Sequence, residues 1–266
     1  MAISLTLLLG EPPRPGTLLA EVSEELAAHG AEVTVRLPRD QPLDAEELVG
    51  QSLVVHRGLG PSGSRLLTAA EELGIELCNP HSADSLLRDR RSWHAALDRA
   101  GIAVPPSITV NRWHEVLDQA GTEHVVAKAL AGPGRGAGVV TGNRETLPGR
   151  APFPGPYLVE PRLQAEDTDR KLYVAGDAVR GLLTPSTLEH PRTTAGEPFV
   201  PDATLVDLAR ETGRVLGAHL LGVDVLDTRS GPVVVDVNAS PGFRGVAGAP
   251  SMVADHLREH ALRVAG

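Results

Sequence analysis

The chain has 266 residues, of which 41% are hydrophobic and 3% aromatic, and it carries a formal net charge of −9. This length predicts one large domain or two to three small ones, with enough apolar residues for a sizeable core. The acidic balance argues against a nucleic-acid groove. The single cysteine excludes an internal disulfide, and the sequence shows neither a signal-peptide pattern nor an apolar run of membrane length. We therefore expect a cytoplasmic protein that binds neither nucleic acid nor a membrane.

The first third of the chain alternates predicted strands with predicted helices. Apolar runs predict strands at 3–9, 32–37, 52–56 and 75–78, and apolar residues at helical spacing predict helices at 16–29 and 62–73. Such alternation is typical of a small parallel α/β domain. Asn79-Pro80 ends it, and we place this N-terminal domain at residues 1–82. Cys78 ends the last strand, where we expect a core residue rather than a nucleophile.

The remaining two thirds predicts two further lobes. The central lobe, 83–155, has an arginine-rich helix at 85–100, strands at 125–130 and 139–141 around a glycine-rich loop, and a Pro/Gly-rich hinge at 148–156. The C-terminal lobe, 156–266, has predicted strands at 157–160, 171–175, 179–183, 223–226 and 233–237, and predicted helices at 205–216 and 249–264. We find no internal repeat.

Three oxygen-bearing side chains indicate a metal site. The valine-rich run 233–237 predicts a buried strand, and because side chains alternate on a strand, Asp236 and Asn238 point the same way. Asp224 lies in a second β-branched run and supplies a third oxygen from a neighbouring strand. Oxygen-only clusters suit Mg²⁺, which bridges substrate phosphates. The alternative is that Asp236 and Asn238 only satisfy backbone groups before the turn.

The two lysines mark a second feature. Of 25 basic residues, only Lys128 and Lys171 are lysine, which indicates positions where a compact ammonium is required. Lys128 lies in an apolar run that leads into Gly132-Pro-Gly-Arg-Gly-Ala-Gly138. A glycine-rich loop after a strand lets backbone N–H groups close on phosphate oxygens, while the lysine acts as a point charge. A solvated lysine beside a generic hairpin loop is the alternative.

Two other motif matches carry less weight. Residues 132–137 fit the dinucleotide pattern G-x-G-x-x-G/A loosely, but that pattern requires a following helix, and a strand is predicted instead. His256-Leu-Arg-Glu-His260 matches the inverted zinc-protease pattern H-x-x-E-H. That family supplies its third ligand far downstream, where this chain has few residues, so we interpret the motif as a solvated face of the last helix.

The ordered motifs resemble the ATP-grasp superfamily. They run from Asp89-Arg90 and the segment 101–105 through the Lys128 loop, Tyr-Leu-Val-Glu at 157–160 and Lys-Leu-Tyr-Val-x-Gly-Asp at 171–177, to Gly-Val-Asp and Asp-Val-Asn-x-x-Pro-Gly. The C-terminal half is similar to the ribosomal-protein glutamate ligase branch of carboxylate–amine ligases, and also to the inositol polyphosphate kinase branch. The resemblance implies an α/β plus α+β architecture, in which an N-terminal parallel α/β domain precedes two lobes that clamp ATP.

The resemblance also implies roles and a reaction. Asp224, Asp236 and Asn238 would hold one or two Mg²⁺ ions, with Mn²⁺ as an alternative. The phosphates would contact Lys128, Arg90 and the loop residues Gly134, Arg135, Gly136 and Gly138. Glu160, with the backbone after it, would read the adenine edge, and Asp167 or Asp169 would bind the ribose. Lys171 would lie near the γ-phosphate and the acyl acceptor. The implied reaction phosphorylates a carboxylate of a small molecule or peptide, and an amine then displaces phosphate. A homo-oligomer is left open.

The chain departs from its relatives at several positions. Arg90 replaces a lysine, and Asp236 replaces a glutamate found in most ligases of the superfamily. Thr184 stands where relatives place an arginine, a charge that Arg180 or Arg192 would have to supply from elsewhere. Arg244, just beyond the metal strand, is a second candidate to hold the acid, unless it is a surface residue that shields its neighbour Phe243. Two alternatives to a ligase therefore remain, a kinase of a small hydroxylated acceptor and a non-catalytic nucleotide-binding protein.

Overall fold

Three β-sheets packed with helices organise the part of the chain that the structure describes. The computed structural model describes residues 3–130, 138–164, 168–186, 188, 196–239 and 241–265. Gly134, Arg135, Gly136, Asp167 and Arg192, to which the sequence assigns functions, lie outside these residues. In the described ranges, no helix is long and apolar enough to cross a lipid bilayer.

The first sheet is parallel, as the alternating pattern predicts. Its strands have the order β2-β1-β3-β4, and every pair is parallel. The central strand is almost wholly buried because helices cover both of its faces. The elements are β1 (Ser4–Leu9), α1 (Leu18–Ala28), β2 (Glu32–Arg36), β3 (Leu53–Arg57), α2 (Pro61–Glu72) and β4 (Leu77–Cys78), with a 3₁₀ turn at Ala45–Leu48.

The helix predicted at 85–100 is two helices, α3 (His81–Arg88) and α4 (Arg90–Arg99). Asp89 between them has extended backbone angles, and its side chain accepts a hydrogen bond from the Arg91 N–H. Asp89 therefore acts as the N-cap of α4, an effect that hydrophobic spacing does not reveal. As a consequence, Arg90 becomes the first residue of a helix.

The second sheet is antiparallel, in the order β5-β8-β6-β7. Its elements are β5 (Ile108–Val110), α5 (Trp113–Ala120), β6 (Val125–Ala129), β7 (Val139–Gly142) and β8 (Tyr157–Pro161). The sequence did not predict β5 or α5, which are short. The rings of Trp113 and Tyr157 pack edge to face with a centroid distance of 5.4 Å, and Phe153 packs against both. Through these contacts, Phe153 of the predicted hinge segment packs against the second sheet.

The third sheet is antiparallel, in the order β11-β10-β9-β12-β13. Because β13 is an edge strand, only Val234 and Val237 of its valine-rich run are buried, and the prediction of a buried strand is half right. The elements are β9 (Thr168–Ala175), β10 (Ala178–Pro185), β11 (Glu197–Phe199), α6 (Ala203–Leu216), β12 (Leu220–Thr228), β13 (Gly231–Ala239) and α7 (Ala249–Ala265).

One face of the third sheet is apolar and the other carries polar residues. The apolar face packs against α4 and α6, with Trp93, Leu172 and Val223 fully buried in the shared core. Helix α7 packs on α1 and shares the core of the N-terminal sheet. The last helix of the chain therefore ties the N-terminal domain to the third sheet, although the predicted domain boundaries themselves remain predictions.

Asn79 connects the first sheet to the third. Its side chain is fully buried, accepts hydrogen bonds from the His219 and Leu220 N–H groups at 2.8 and 2.7 Å, and donates to the Leu220 carbonyl at 2.8 Å. The amide thereby satisfies three backbone groups at the point where β12 begins.

We expect Asn79→Ala to lower the free energy of unfolding by at least about 3 kcal/mol, because each buried backbone group left without a partner costs about 1–3 kcal/mol. Urea unfolding monitored by circular dichroism measures the change. The matched control is Asn111→Ala at an exposed position, which should alter stability by less than about 0.5 kcal/mol. Equal stability of the two variants would contradict this role for Asn79.

Candidate active site at the junction of two sheets

A row of charged residues crosses the polar face of the third sheet. Lys171 on β9 lies opposite Asp224 on β12, which lies opposite Asp236 on β13. Directly opposed residues on antiparallel strands share a face, so the three side chains are neighbours. The Lys171 ammonium is 2.6 Å from Asp224 Oδ2. Asn238, two residues beyond Asp236, lies opposite Gly222 on the same face.

The carboxylates of Asp224 and Asp236 repel each other, and the Lys171 ammonium only partly offsets this repulsion. Burial raises the pKa of Asp224, and the negative charge of Asp236 raises it further, so that together they outweigh the lowering by Lys171. Burial lowers the pKa of Lys171, but the ion pair and hydrogen bond with Asp224 outweigh burial and raise it overall. A divalent cation at this position would relieve the repulsion between the carboxylates, so the donor set fits Mg²⁺.

A β-bulge brings a backbone carbonyl into the site. The pairing of β12 with β13 shifts between Asp224 and Val225, which leaves Val235 as the extra residue of β13. Its carbonyl oxygen accepts a hydrogen bond of 2.7 Å from the Lys128 ammonium. Bulges redirect backbone groups in this way, and the register shift could not be anticipated from the valine-rich sequence.

Lys128 spans the gap between the second and third sheets. It lies on β6, is 6% exposed, and its ammonium is 2.6 Å from Glu160 Oε2 on β8. Glu160 is 2% exposed, so its side chain contacts Lys128 rather than an open edge where adenine could lie. The Glu160 carboxylate therefore holds the Lys128 ammonium, and the role of Glu160 and the backbone after it at the adenine edge stays a prediction.

Arg90 makes a second connection between the two sheets. Its Nη1 donates to the Ala129 carbonyl at 2.6 Å, and its Nε lies 3.7 Å from Asp236 Oδ1. That Nε is buried and has no hydrogen-bond partner among the described residues. This buried donor beside the carboxylate row is available to an anionic group, so Arg90 fits the phosphate role that the resemblance implies.

Two further predicted residues flank the site. Gly138 has φ of +87°, a backbone conformation that glycine adopts readily, and its carbonyl pairs with the Ala129 N–H at 2.7 Å. This bond joins the two ends of the glycine-rich loop next to Lys128. Asp169 is buried on β9, two residues from Lys171, and its charge raises the pKa of both Lys171 and Asp224. Asp169 therefore acts on the charged row itself.

Thr184, which stands where the family places an arginine, lies near the end of β10. It lies opposite Asp169, and its buried hydroxyl oxygen has no hydrogen-bond partner among the described residues. Arg180 is exposed at the other end of β10 and donates to the Val179 carbonyl at 3.1 Å. Four residues of strand separate the two positions, about 13 Å, so Arg180 does not replace the missing charge.

The segment that follows β13 folds back over the polar face of the third sheet. Phe243 is buried, and its ring centroid is 5.3 Å from that of Tyr173, while a Cβ at Gly245 would lie 3.5 Å from Leu182. Leu182 lies opposite Lys171 in the sheet. Arg244 in this segment is exposed and lines a cleft of about 800 Å³ together with Arg14 and Arg57. The sequence did not single out Arg14 or Arg57, because nothing local distinguishes them from other arginines.

The last helix forms as predicted, but the interpretation of its H-x-x-E-H motif as a solvated face is wrong. His256 and His260 of α7 are 7% and 5% exposed rather than solvated. They face the core because α7 packs on the N-terminal domain, where they meet Cys78 at the end of β4. Cys78 itself is fully buried, and burial raises the pKa of its thiol far above the ordinary value, in agreement with a core residue.

Solved structures share this arrangement of sheets. The chain superposes on the RimK domain ATP-grasp protein from Sphaerobacter thermophilus DSM 20745 with a TM-score of 0.70 and 23% identity, covering 94% of this chain and 98% of that one. It also superposes on the ATP-grasp ligase PsnB complexed with a minimal precursor, Mg and ADP, with a TM-score of 0.73, 19% identity and 97% coverage of both chains.

Sequence comparisons agree with the fold. A family model described as a RimK-like ATP-grasp domain matches residues 187–255. A probable alpha-L-glutamate ligase from Xanthomonas euvesicatoria pv. vesicatoria (strain 85-10) is 27% identical over 243 residues, 82% of each chain. The chain is therefore similar to ATP-grasp proteins in part of its sequence and in its fold.

A second protein with the same name shows a similar level of sequence identity. The probable alpha-L-glutamate ligase of Vibrio cholerae serotype O1 (strain ATCC 39541 / Classical Ogawa 395 / O395) is 28% identical over 225 residues, 77% of this chain and 73% of that protein. In this chain, the junction between the second and third sheets brings together Lys128 and Arg90 on one side and the Lys171–Asp224–Asp236 row on the other.

Proposed function

We propose that this protein is an ATP-grasp carboxylate–amine ligase that uses ATP to join an acid to an amine through an acyl phosphate. The observation that carries the proposal is the row Lys171–Asp224–Asp236, which faces Lys128 and Arg90 across the junction of two sheets. Cations for phosphate and paired carboxylates for a divalent metal are the parts that phosphoryl transfer requires.

Three cations of the chain have separate roles in binding ATP. Lys128 exchanges its contact with the Val235 carbonyl for the α- and β-phosphates, while Glu160 keeps its ammonium in place. Arg90 turns its unpartnered Nε towards a phosphate oxygen. Lys171 orients the γ-phosphoryl group and, as a cation of raised pKa, stays charged at neutral pH.

Asp224, Asp236 and Asn238 form the metal site of the proposal. They would hold one or two Mg²⁺ ions, with Mn²⁺ as a competent substitute. When bound, the metal would neutralise the negative charge of the phosphates. Asp236 is shorter by one methylene than the glutamate that most ligases of the superfamily have at this position, and its Oδ1 lies 3.7 Å from Arg90 Nε.

The reaction has two steps. A carboxylate oxygen of the acid attacks the γ-phosphorus, the bond to the β-phosphate oxygen breaks, and ADP leaves. The amine then attacks the acyl carbon, phosphate leaves, and the ammonium proton passes to solvent. Lys128, Arg90 and Lys171 contribute by positioning and charge neutralisation, because little covalent chemistry is left for the protein to perform.

The names of similar proteins suggest a class of substrate for the proposed ligase. Two of these proteins are named probable alpha-L-glutamate ligases, which favours glutamate as one of the two substrates here. PsnB was solved with a precursor peptide, which keeps a peptide carboxylate within the proposed class. The cleft around Arg244 also contains Glu21 and the Arg14–Glu11 ion pair, so Arg244 is the candidate to bind the carboxylate of an acidic substrate there.

One assay distinguishes the proposal from its alternatives. ADP release is measured with Mg²⁺-ATP and pooled amino acids or an acidic peptide, with and without hydroxylamine. A ligase releases ADP and yields a hydroxamate, because hydroxylamine traps an acyl phosphate. ADP release without hydroxamate would indicate a phosphorylated alcohol and a kinase, and the absence of ADP release with every acceptor would indicate a non-catalytic protein.

We expect Arg244→Ala to raise the apparent KM for the acid about tenfold or more and to leave the KM for ATP nearly unchanged. Removing a charged hydrogen-bond donor costs about 1.5–3 kcal/mol, and 1.4 kcal/mol corresponds to about a factor of ten. The control is Arg229→Ala in the exposed hairpin turn after β12, which should change neither constant. Equal changes in both constants, or none, would assign Arg244 to shielding Phe243.

A further inference from the structure

A cluster of metal-binding side chains lies outside the ATP site. Cys78 at the end of β4 meets His256 and His260 on α7, and all three residues are buried. His219, the residue before β12, lies beside them with ring centroids 5.5 Å from His256 and 4.8 Å from His260. Five residues of strand separate His219 from Asp224, about 16 Å, so the cluster is distinct from the carboxylate row.

The spacing of the donor atoms is close to that of a bound ion. One donor atom each from Cys78, His256 and His260 can be chosen so that all lie within 4.8 Å of one another, and Cys78 Sγ is 4.0 Å from His256 Nε2. Metal–sulfur and metal–nitrogen bonds of about 2.3 and 2.0 Å in a tetrahedron put the donors about 3.3–3.7 Å apart. Movements of an ångström or less would close the cluster around a cation.

The helix and its neighbours fix the two histidines. His256 and His260 are separated by one helical turn, so their rings leave the same face of α7. The Nδ1 side of His256 packs directly against the backbone of Gly176, where no larger residue would fit, and its Nε2 is the atom nearest to Cys78. The ring orientation that metal binding requires is therefore built into the fold.

A carboxylate supports His260 from the other side. His260 Nε2 is 2.8 Å from Glu76 Oε1, and its Nδ1 is buried without a hydrogen-bond partner among the described residues. Histidines that bind metals commonly donate their second N–H to a carboxylate, which selects the tautomer and strengthens the ligand. The free Nδ1 of His260 is then the atom available for a metal.

A metal at this site requires neutral imidazole rings and a thiolate as ligands. The Cys78 thiol would release its proton to solvent on binding, and the thiolate together with Glu76 would offset the two charges of a divalent ion.

We propose that Cys78, His256 and His260 form a binding site for a divalent transition metal, Zn²⁺ in the first place. Sulfur and imidazole donors suit Zn²⁺ and Co²⁺ and are unsuited to Mg²⁺. The ligands come from the end of β4 in the N-terminal domain and from α7, so the ion would join these two parts of the chain.

Two measurements on the untagged protein test the site. Elemental analysis should find about one zinc per chain after exhaustive dialysis. Titration of chelator-treated protein with Co²⁺ should produce a thiolate-to-cobalt charge-transfer band together with the visible bands of tetrahedral cobalt. Wild-type protein that retains no zinc and develops no charge-transfer band with Co²⁺ would overturn the proposal, whatever the variants do.

Substitutions assign the ligands. Cys78→Ser should abolish the charge-transfer band, and His260→Asn should lower zinc content to a small fraction of wild type. Glu76→Gln should weaken affinity about tenfold or more without removing a ligand. The control is His114→Ala, an exposed helical histidine, which should keep full zinc content. A charge-transfer band that persists in Cys78→Ser, or zinc lost equally from the control, would also overturn the proposal.

Discussion

Asp236→Asn is expected to reduce ATP turnover by about a hundredfold or more and to leave the fold intact. The substitution keeps the shape of the side chain next to Arg90, but it removes one of the two negative charges that face each other across β12 and β13. Loss of a charged group that acts on the transferring phosphoryl costs about 3–4 kcal/mol by analogy with an oxyanion-hole donor, which corresponds to at least a hundredfold.

Steady-state ADP release and the thermal midpoint without nucleotide measure the two parts of this expectation. The matched control is Asp207→Asn on the exposed side of α6, which removes the same charge far from the row and should retain wild-type turnover. Raising the Mg²⁺ concentration should restore part of the activity of Asp236→Asn, since a weakened site fills at higher metal concentration. Near-normal turnover of Asp236→Asn at low Mg²⁺ would remove Asp236 from the metal site.

Lys128→Arg is expected to weaken ATP binding about a hundredfold although it conserves charge. The ammonium lies in a buried space between the Glu160 carboxylate and the Val235 carbonyl, at 2.6 and 2.7 Å. A planar guanidinium is wider and has no room there, so it would displace either partner or point away from the phosphates. Isothermal titration with a non-hydrolysable ATP analogue measures the effect.

A pair of further variants separates binding from stability. Lys128→Met leaves Glu160 buried and unpaired and should destabilise the protein by about 3–5 kcal/mol. Adding Glu160→Gln removes that unpaired charge, so the double variant should recover most of the stability and still bind ATP poorly. Recovery of ATP affinity together with stability in the double variant would mean that Lys128 serves the fold and not the nucleotide.

Local sequence patterns were sufficient to predict those structural properties that repeat along the chain. Alternation of strands and helices predicted the parallel first sheet, and the two-residue period of β13 put Asp236 and Asn238 on one face. The scarcity of lysine marked Lys128 and Lys171, which both lie at the junction of the sheets. These properties depend on side-chain alternation and composition, which contacts made elsewhere in the fold change little.

Other properties were decided by contacts between distant residues. The bulge at Val235 depends on how β12 and β13 pair, and the contact of Glu160 with Lys128 depends on two strands that are 32 positions apart in sequence. The short elements β5 and α5 have weak local signals and depend on packing around Trp113 for their stability.

Helix α7 shows most clearly which properties the sequence determined and which the tertiary structure decided. The sequence by itself determined that residues 249–264 are helical and that His256 and His260 share a face, because helical spacing is a local property. It did not determine which face is buried, because the helix carries apolar and polar residues on several sides. Only the packing of α7 on α1, and the arrival of Cys78 from a strand 178 positions earlier, turned that face inwards and brought the histidines to a cysteine.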